Sequence, residues 1–392
     1  MGFNPLDEKG LPLDQQILEW DEANIEPFDR RDVHPYTRTR VILMNGIEVE
    51  GVLFKHQMAR HCDNMDVRRQ LAITRRVEQQ QQKMVNWLIP GTQTNLEVTL
   101  GFEQVAVDLT AWLAKTEPSA HVKAALDFAL LEDFDHLYRY SNLYMMDENR
   151  DPAEIIGDDL TEVFPGRPTA AEHRHPIDTV FEPAPADADL LSKLHILTIV
   201  AAEQQTMNLY MNIGNRPVDM LGRGLYLEIA QVEEEHVTQY ESLIPPTASW
   251  FERALLHEYN ECWLYYACMQ SEPDERIRRW WQFHLDCEIA HLHGAVDLMR
   301  KFGDKDPMAI LPSELPEPLM IFQSNKEYVR DVLAEQESWT INREKIVEAD
   351  DKPGTFDQYQ SWVNVGAIPS EEVIAVNPRE YRLEVLGPVA HA

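Results

Sequence analysis

Cysteine and basic residues are scarce in this chain. Its 392 residues include only 4 Cys, with no C-x-x-C pair, which excludes a built-in rubredoxin-like iron site and favours a reduced, cytoplasmic setting. Lys and Arg number 35 against 67 Asp and Glu, so the formal net charge is −32. That charge argues against nucleic acid or an anionic membrane as the partner of this protein.

Long apolar runs are also missing. No stretch of about eighteen apolar residues occurs, so we expect no membrane-spanning helix. The first residues, Met-Gly-Phe-Asn-Pro-Leu-Asp-Glu, do not have the pattern of a signal peptide. A chain of this length can bury a large core, in one large domain or in two.

The segment from Tyr226 to Tyr240 is predicted to be one helix with a polar pair on its apolar face. Glu233 and His236 stand three positions apart, so both side chains lie on the same side of that helix. Burying a carboxylate and an imidazole without partners would cost roughly several kcal/mol. A bound metal ion is one standard way to offset that cost.

The same pattern recurs along the chain at a fixed offset. An acidic residue stands thirty positions before three acid-x-x-His motifs: Glu203 before Glu233 and His236, Glu258 before Glu288 and His291, and Glu103 before Asp133 and His136. A fourth such motif, Glu172 with His175, has no acid at that offset. This internal repeat predicts three helical hairpins, at about 95–145, 188–243 and 250–302. The chain is therefore predicted to be all-α.

Two such hairpins together supply four carboxylates and two imidazoles. Carboxylate oxygens with one imidazole per ion suit iron or manganese. Through Glu203, Glu233 and His236 the sequence resembles the ferritin-like di-iron carboxylate superfamily, over about residues 95–302. The resemblance implies a four-helix bundle holding two iron ions, or manganese, that activate dioxygen or peroxide or oxidise iron.

Three hairpins are one more than such a site needs, so two pairings are open. The first joins Glu103, Asp133 and His136 to the central hairpin, because the Pro-rich segment 146–187 is long enough for the crossover of a ferritin-like bundle. The second joins Glu258, Glu288 and His291 to it instead. His284, on the same face as Glu288, resembles an extra histidine of the arylamine N-oxygenase branch. Glu203, Glu233 and His236 serve in both pairings.

Tyrosines follow an acidic residue by seven positions in four of the predicted helices: Tyr140, Tyr210, Tyr240 and Tyr265. Tyr210 and Tyr240 are candidates to donate a hydrogen bond to a ligand carboxylate. The more ordinary interpretation is a tyrosine at the edge of the core. His173 and His175 are interpreted as loop residues, and His257 and His293 either as surface residues or as residues that contact a ligand. The glutamine-rich run is interpreted as a solvated helix face, with Glu78 as an alternative partner of a metal ligand.

The rest of the chain is predicted to pack around this bundle. Residues 1–94 form an arm with a short β-hairpin at 41–53, whose turn is Asn45-Gly46, and a helix over about 54–88. Residues 303–392 form a C-terminal extension that is extended or partly disordered from about residue 340.

The function expected from the resemblance is a non-haem di-iron, or iron–manganese, oxidoreductase. It would use dioxygen or peroxide to oxidise a small organic substrate, taking electrons from an external donor or from the substrate. The alternatives are a ferritin-like protein that oxidises iron or scavenges peroxide, and a metal-free helical scaffold. The assembly state stays open, with a homodimer as one option.

Overall fold

The computed structural model describes residues 2–384, and it confirms that the chain is mainly helical. Within this range the chain forms fourteen α-helices: α1 Trp20–Ala23, α2 Pro35–Arg60, α3 Met65–Trp87, α4 Asn95–Thr116, α5 Ala120–Glu148, α6 Ala153–Ile156, α7 Thr169–Glu172, α8 Leu190–Ile213, α9 Met220–Ser242, α10 Trp250–Ser271, α11 Glu275–Phe302, α12 Lys326–Gln336, α13 Gly354–Val363 and α14 Pro369–Val376. An antiparallel ribbon of β1 (Trp339–Asn342) and β2 (Lys345–Glu348) is the one sheet of the described chain. None of the helices described is long and apolar enough to cross a membrane.

The long helices start where the sequence provides capping groups. The hydroxyl of Thr94 accepts a hydrogen bond from the backbone N–H of Glu97, whose carboxylate accepts from the N–H of Thr94, so α4 begins with a capping box. The next caps are Ser119 for α5, Asp219 for α9, Ser249 for α10 and Asp274 for α11. Each cap satisfies N–H groups that a helix start leaves open, a contribution of about 0.5–2 kcal/mol.

The described chain divides into two compact units, each made of three separate stretches. Unit 1 comprises residues 2–91, 184–201 and 244–321, and unit 2 comprises residues 92–183, 202–243 and 322–384. Helix α8 gives its first half to unit 1 and its second half to unit 2. This arrangement differs from the predicted division into 1–94, 95–302 and 303–392, because hairpins distant in sequence pack together.

Within unit 1 two helical hairpins form a bundle. Helix α2 packs on α3 and α10 packs on α11, while α2 also contacts α10 and α3 contacts α11. The N-terminal residues are part of this unit rather than an arm on its outside. For example, the 3-10 turn Pro5–Asp7 contacts α11.

Within unit 2 the hairpin of α4 and α5 is joined by α9, which contacts α5, and by the second half of α8. C-terminal helices cover this bundle: α12 packs on α4 and α5, and α14 packs on α5 and α9. The aromatic rings of Tyr140, Tyr210 and Tyr226 lie in its core, with centroids 4.9–5.6 Å apart.

The predicted β-hairpin at 41–53 is wrong, because α2 runs straight through it from Pro35 to Arg60. Pro35 at the first helical position and the ring nitrogen of His34, which accepts from the N–H of Tyr36, start a helix there. A Gly in a helix costs only about 1 kcal/mol, and the buried apolar side chains around Gly46 outweigh it. The predicted helix over 54–88 is likewise two helices, α2 and α3.

The C-terminal extension is more ordered than predicted over the part that the structure describes. Residues 340–384 contain the β-ribbon and helices α13 and α14. Helix α14 is anchored on α9, since the N–H and hydroxyl of Ser370 both donate to the buried carboxylate of Glu228. The prediction for residues 385–392 lies outside the described residues.

Candidate metal centre

Unit 2 brings together the six ligands of the first predicted pairing, which we call the unit 2 cluster. Its members are Glu103 on α4, Asp133 and His136 on α5, Glu203 on α8, and Glu233 and His236 on α9. All six side chains are buried. The spacing of three residues in α5 and α9 turns each acid and its histidine to the same face, as the sequence predicted.

The ligand atoms of this cluster form two groups that share one residue. Asp133, Glu203, Glu233 and His236 offer atoms within 4.8 Å of one another, and so do Glu103, His136 and Glu233. Nδ1 of His236 lies 3.4 Å from a Glu233 oxygen, and Nδ1 of His136 lies 3.1 Å from the other. Glu233 is therefore placed to bridge two cations.

Many of these buried atoms have no hydrogen-bond partner among the described residues. They are Oε2 of Glu103, Oδ1 of Asp133, Nε2 of His136, both carboxylate oxygens of Glu203, Oε2 of Glu233 and Nδ1 of His236. Leaving such groups without partners inside a protein costs about 1–3 kcal/mol each, and more when the group is charged. Oxygen and imidazole atoms left open in this way fit divalent iron or manganese.

The electrostatics of the cluster depend on burial and on the crowding of four carboxyl groups. Burial, reinforced by neighbouring carboxylates, raises the pKa of Glu103 and of Glu203 well above the usual range, and raises the pKa of Asp133 to about 7. Burial acts on Glu233 in the same direction, yet the hydrogen bond from His136 and the nearby imidazole of His236 hold the pKa of Glu233 below its ordinary value. Cations would relieve the remaining repulsion.

A buried ion network orients His236 toward the cluster. Nε2 of His236 lies 2.6 Å from Oε2 of Glu132, and Oε1 of Glu132 accepts from Arg174 at 2.7 Å and from Arg167 at 3.3 Å. Although burial opposes it, the positive charge of Arg174 lowers the pKa of Glu132 to about 2. With Nε2 held by Glu132, Nδ1 of His236 is left for a metal ion.

Both arginines come from the Pro-rich segment, which therefore does more than connect two hairpins. Arg167 and Arg174 are buried, and so is His173, which was predicted to be a loop residue. Nε2 of His173 lies 3.8 Å from a Glu228 oxygen, away from the six ligands. His175 is only partly buried and accepts the N–H of Ile177, as expected of a loop residue.

The candidate tyrosines behave differently from one another. The hydroxyl of Tyr210 donates to Oε1 of Glu103, so this tyrosine contacts a candidate ligand carboxylate. This agrees with the first of the two interpretations given for the tyrosines. Tyr240 is buried with its ring 6.4 Å from that of His236, but its hydroxyl has no hydrogen-bond partner in the described structure. The hydroxyl of Tyr140 is also buried without one.

Unit 1 holds the ligands of the alternative pairing in a second buried set, the unit 1 cluster. Glu258, Glu288 and His291 meet Glu78 of α3 rather than the central hairpin, with ligand atoms within 4.8 Å of one another. The remaining members of this cluster are Glu48, Lys55, Gln81 and the buried Glu261. Glu78 and Gln81 are fully buried, so the interpretation as a solvated helix face is wrong at these two positions, and the alternative for Glu78, a partner of the ligands, agrees with its place in this cluster.

The other histidines near this second cluster do not belong to its group of ligand atoms. Nδ1 of His284 lies 3.1 Å from the hydroxyl of Tyr265, and burial lowers the pKa of His284 to about 4. His257 stacks on Phe54 with ring centroids 4.4 Å apart and is buried, so of its two interpretations the surface one is wrong. His293 bonds the backbone oxygen of Glu8 at the surface, as expected.

The sequence carried a signal for the missed residues. Glu48 stands thirty positions before Glu78, and Gln81 follows Glu78 by three. This is the same repeat with glutamine in the place of histidine, and a search for acid-x-x-His passes over it.

Comparison of the chain with protein-family models, with curated proteins and with solved structures found no significant match. The interpretation of the two clusters therefore rests on their own geometry and chemistry.

Proposed function

We propose that unit 2 is a ferritin-like four-helix bundle that holds two iron or manganese ions, and that the protein uses dioxygen or peroxide to oxidise a small organic substrate. The sharing of Glu233 between two groups of buried ligand atoms carries this proposal. A carboxylate between two such groups is the arrangement in which paired ions are bound. Bound there, ions of variable valence supply the electrons for reducing dioxygen or peroxide.

The ligands divide between the two ions by their grouping. Glu103 and His136 would hold one ion, while Glu203, His236 and Asp133 would hold the other. Asp133 has a shorter side chain than Glu233, and one of its oxygens already accepts from Thr110 at 3.1 Å. The two ion positions are therefore unequal, which favours different tasks for the two ions.

A groove on unit 2 offers the substrate a way to this cluster. It has a volume of about 330 Å³ and is lined by Tyr210, Tyr226 and several exposed apolar side chains, among them Met220 and Leu227. Tyr210 lines the groove with its ring and donates its hydroxyl to Glu103. A compound seated in the groove thus lies one side chain away from a ligand carboxylate.

The groove also indicates the chemistry of the substrate. Its walls of methionine, leucine and tyrosine fit a small apolar or aromatic compound. Arg223 lines the same groove and can donate to a carbonyl, hydroxyl or acidic group on that compound. The hydroxyl of Tyr210 donates to Oε1 of Glu103, so Tyr210 links the wall of this groove to a candidate ligand.

Metal content tests the proposal directly. We expect the purified wild type to hold about two ions of iron or manganese per chain, and Glu233→Ala to hold less than about one, because both groups of ligands use Glu233. Glu234→Ala is the matched control. Glu234 is the next residue in the chain and its carboxylate is exposed, so its removal should leave the metal content unchanged. Elemental analysis of the three proteins provides the measurement.

Two results would contradict the proposal. Wild-type protein without iron or manganese would favour the metal-free scaffold, as would equal metal content in Glu233→Ala and Glu234→Ala. If the metal is present but ferrous iron alone is consumed, with no organic compound oxidised, the iron-oxidising alternative replaces the oxidase.

A further inference from the structure

The two clusters correspond position by position. In each unit an acidic residue precedes an acid by thirty positions, and a polar residue follows that acid by three. The pairs of matching residues, unit 1 first, are Glu48 and Glu103, Glu78 and Asp133, Gln81 and His136, Glu258 and Glu203, Glu288 and Glu233, and His291 and His236. The chain thus contains two copies of one ligand pattern.

A tyrosine contact supports this correspondence independently of the spacing. Tyr265 follows Glu258 by seven positions, and Tyr210 follows Glu203 by seven. The hydroxyl of Tyr265 donates to Glu48, as that of Tyr210 donates to Glu103. The two clusters therefore share their hydrogen bonding as well as their ligand order.

Two further positions differ in charge. Three positions after Glu258, unit 1 has the buried Glu261, where unit 2 has Thr206 after Glu203. The other difference adds a positive charge to unit 1. Seven positions after the first glutamate, unit 2 has Thr110 and unit 1 has Lys55. Thr110 donates one hydrogen bond to Asp133, whereas the ammonium group of Lys55 contacts Glu78 and lies 2.8 Å from Oε1 of Glu258. The Lys55 side chain is only 1% exposed, so this charge lies among carboxylates with almost no water.

Lys55 gives Oε1 of Glu258 a partner that neither oxygen of its counterpart, Glu203, has among the described residues. Oε1 of Glu288 accepts from Gln81 at 2.7 Å, and its Oε2 lies 2.8 Å from Nδ1 of His291. In unit 2, by contrast, Nδ1 of His236 and both oxygens of Glu203 have no hydrogen-bond partner in the described structure. The Lys55 ammonium group therefore supplies in unit 1 a positive charge of the kind that cations are proposed to supply in unit 2.

We propose that Lys55 is a built-in cation standing in for a metal ion, which makes unit 1 a copy of the bundle that folds and persists without metal. Gln81 completes the exchange, because an amide binds iron or manganese more weakly than an imidazole and can donate to Glu288 instead. The inference goes beyond the proposed function and relies on it only for the comparison with unit 2.

Giving unit 1 the residues of unit 2 tests this inference. We expect the double variant Lys55→Thr with Gln81→His to raise bound manganese from about two to about four ions per chain when Mn²⁺ is the only metal supplied. We also expect its melting temperature to fall by about 5 °C or more in chelator and to recover with Mn²⁺. In the wild-type background, Glu258→Gln should leave the metal content unchanged.

The inference is overturned if the double variant binds no more Mn²⁺ than the wild type and melts at the same temperature in chelator. It is equally overturned if Glu258→Gln lowers the metal content of the wild type. Should the double variant fail to fold, the reciprocal exchange in unit 2, Thr110→Lys with His136→Gln, decides. That variant should lose Mn²⁺ yet remain folded in chelator, and retained Mn²⁺ would refute the role of Lys55.

Failure of the proposed function gives a different result. Wild-type protein without metal would refute the metal centre in unit 2, whereas the role of Lys55 would still be judged by the Mn²⁺ dependence of the Lys55→Thr, Gln81→His melting temperature.

Discussion

Single hydroxyl groups around the unit 2 cluster differ in what they contact, and this difference can be measured. Tyr210 donates to the buried carboxyl group of Glu103. We expect Tyr210→Phe to lower the free energy of unfolding of the metal-free protein by about 1.5–3 kcal/mol, because it removes a hydrogen bond to a buried acidic group. Urea unfolding in the presence of chelator provides the measurement.

Tyr240→Phe is the matched control for that substitution. Tyr240 is equally buried, but its hydroxyl has no hydrogen-bond partner among the described residues. Removing an unpartnered buried hydroxyl should be neutral or slightly stabilising. Equal losses of stability in the two variants would show that ring packing, rather than the contact with Glu103, accounts for the effect.

The buried imidazole of His257 should make the stability of the protein depend on pH. Burial first, and then the positive charges of Lys55 and Arg253, lower the pKa of His257 from 6.5 to about 3. The unfolded chain therefore binds a proton near pH 6.5 and the folded chain does not. The stability that this group contributes is present above pH 6.5 and is lost as the pH falls toward 3, at about 1.4 kcal/mol per pH unit.

We expect His257→Gln to make the free energy of unfolding less dependent on pH. Between about pH 4.5 and 6.5 its slope against pH should fall by about 1.4 kcal/mol per pH unit. Urea unfolding at a series of pH values provides the measurement. His293→Gln, which removes a partly exposed imidazole, is the control. An unchanged slope in His257→Gln would contradict burial of a neutral imidazole.

At the scale of elements, helix α5 depends on a close approach by the Pro-rich segment. A Cβ atom at Gly166 would lie 2.4 Å from the backbone oxygen of Leu131 and 3.0 Å from the backbone nitrogen of Asp135. The absence of a side chain lets this segment lie against α5, where Arg167 reaches Glu132. We expect Gly166→Ala to cost about 1–3 kcal/mol of stability, because the backbone must move away.

Gly354→Ala is the control, since a Cβ atom at that position meets nothing within 4 Å. It lies at the first position of α13 and should be neutral or slightly stabilising. Thermal unfolding of both variants provides the measurement, and metal content reports whether the arginines still orient His236. Equal stability of the two variants would show that the segment can shift at no cost.

Local sequence signals predicted some helices correctly and missed another, α2. The hairpins of α4 with α5 and of α10 with α11 follow from the spacing of apolar and acidic residues. Asn45-Gly46 is a strong turn signal, yet it lies inside α2, where Oδ1 of Asn45 accepts from Gln82 at 2.7 Å. Tertiary burial overrode the local preference there.

At the scale of the whole molecule, the sequence predicted one bundle where the structure has two units. The ligand hairpins of unit 2 were found because both keep the acid-x-x-His pattern at the same offset. The hairpin of α2 and α3 was missed, because Gln81 occupies the place of the histidine and Lys55 supplies a charge that no metal motif contains. Which hairpins pack together is decided by helix faces, and sequence order does not reveal it.

Each unit is made of separate stretches of the chain, and this affects how the protein folds during its synthesis on the ribosome. Gln16 bonds His291, and Thr37 bonds Glu272, across more than 230 intervening positions. Helices α2 and α3 therefore cannot complete their packing until α10 and α11 have been synthesised. Until then their charged side chains are exposed to water. Neither unit is a continuous stretch of the chain. Truncation from either end therefore removes part of one unit and does not leave the other unit as a separate chain.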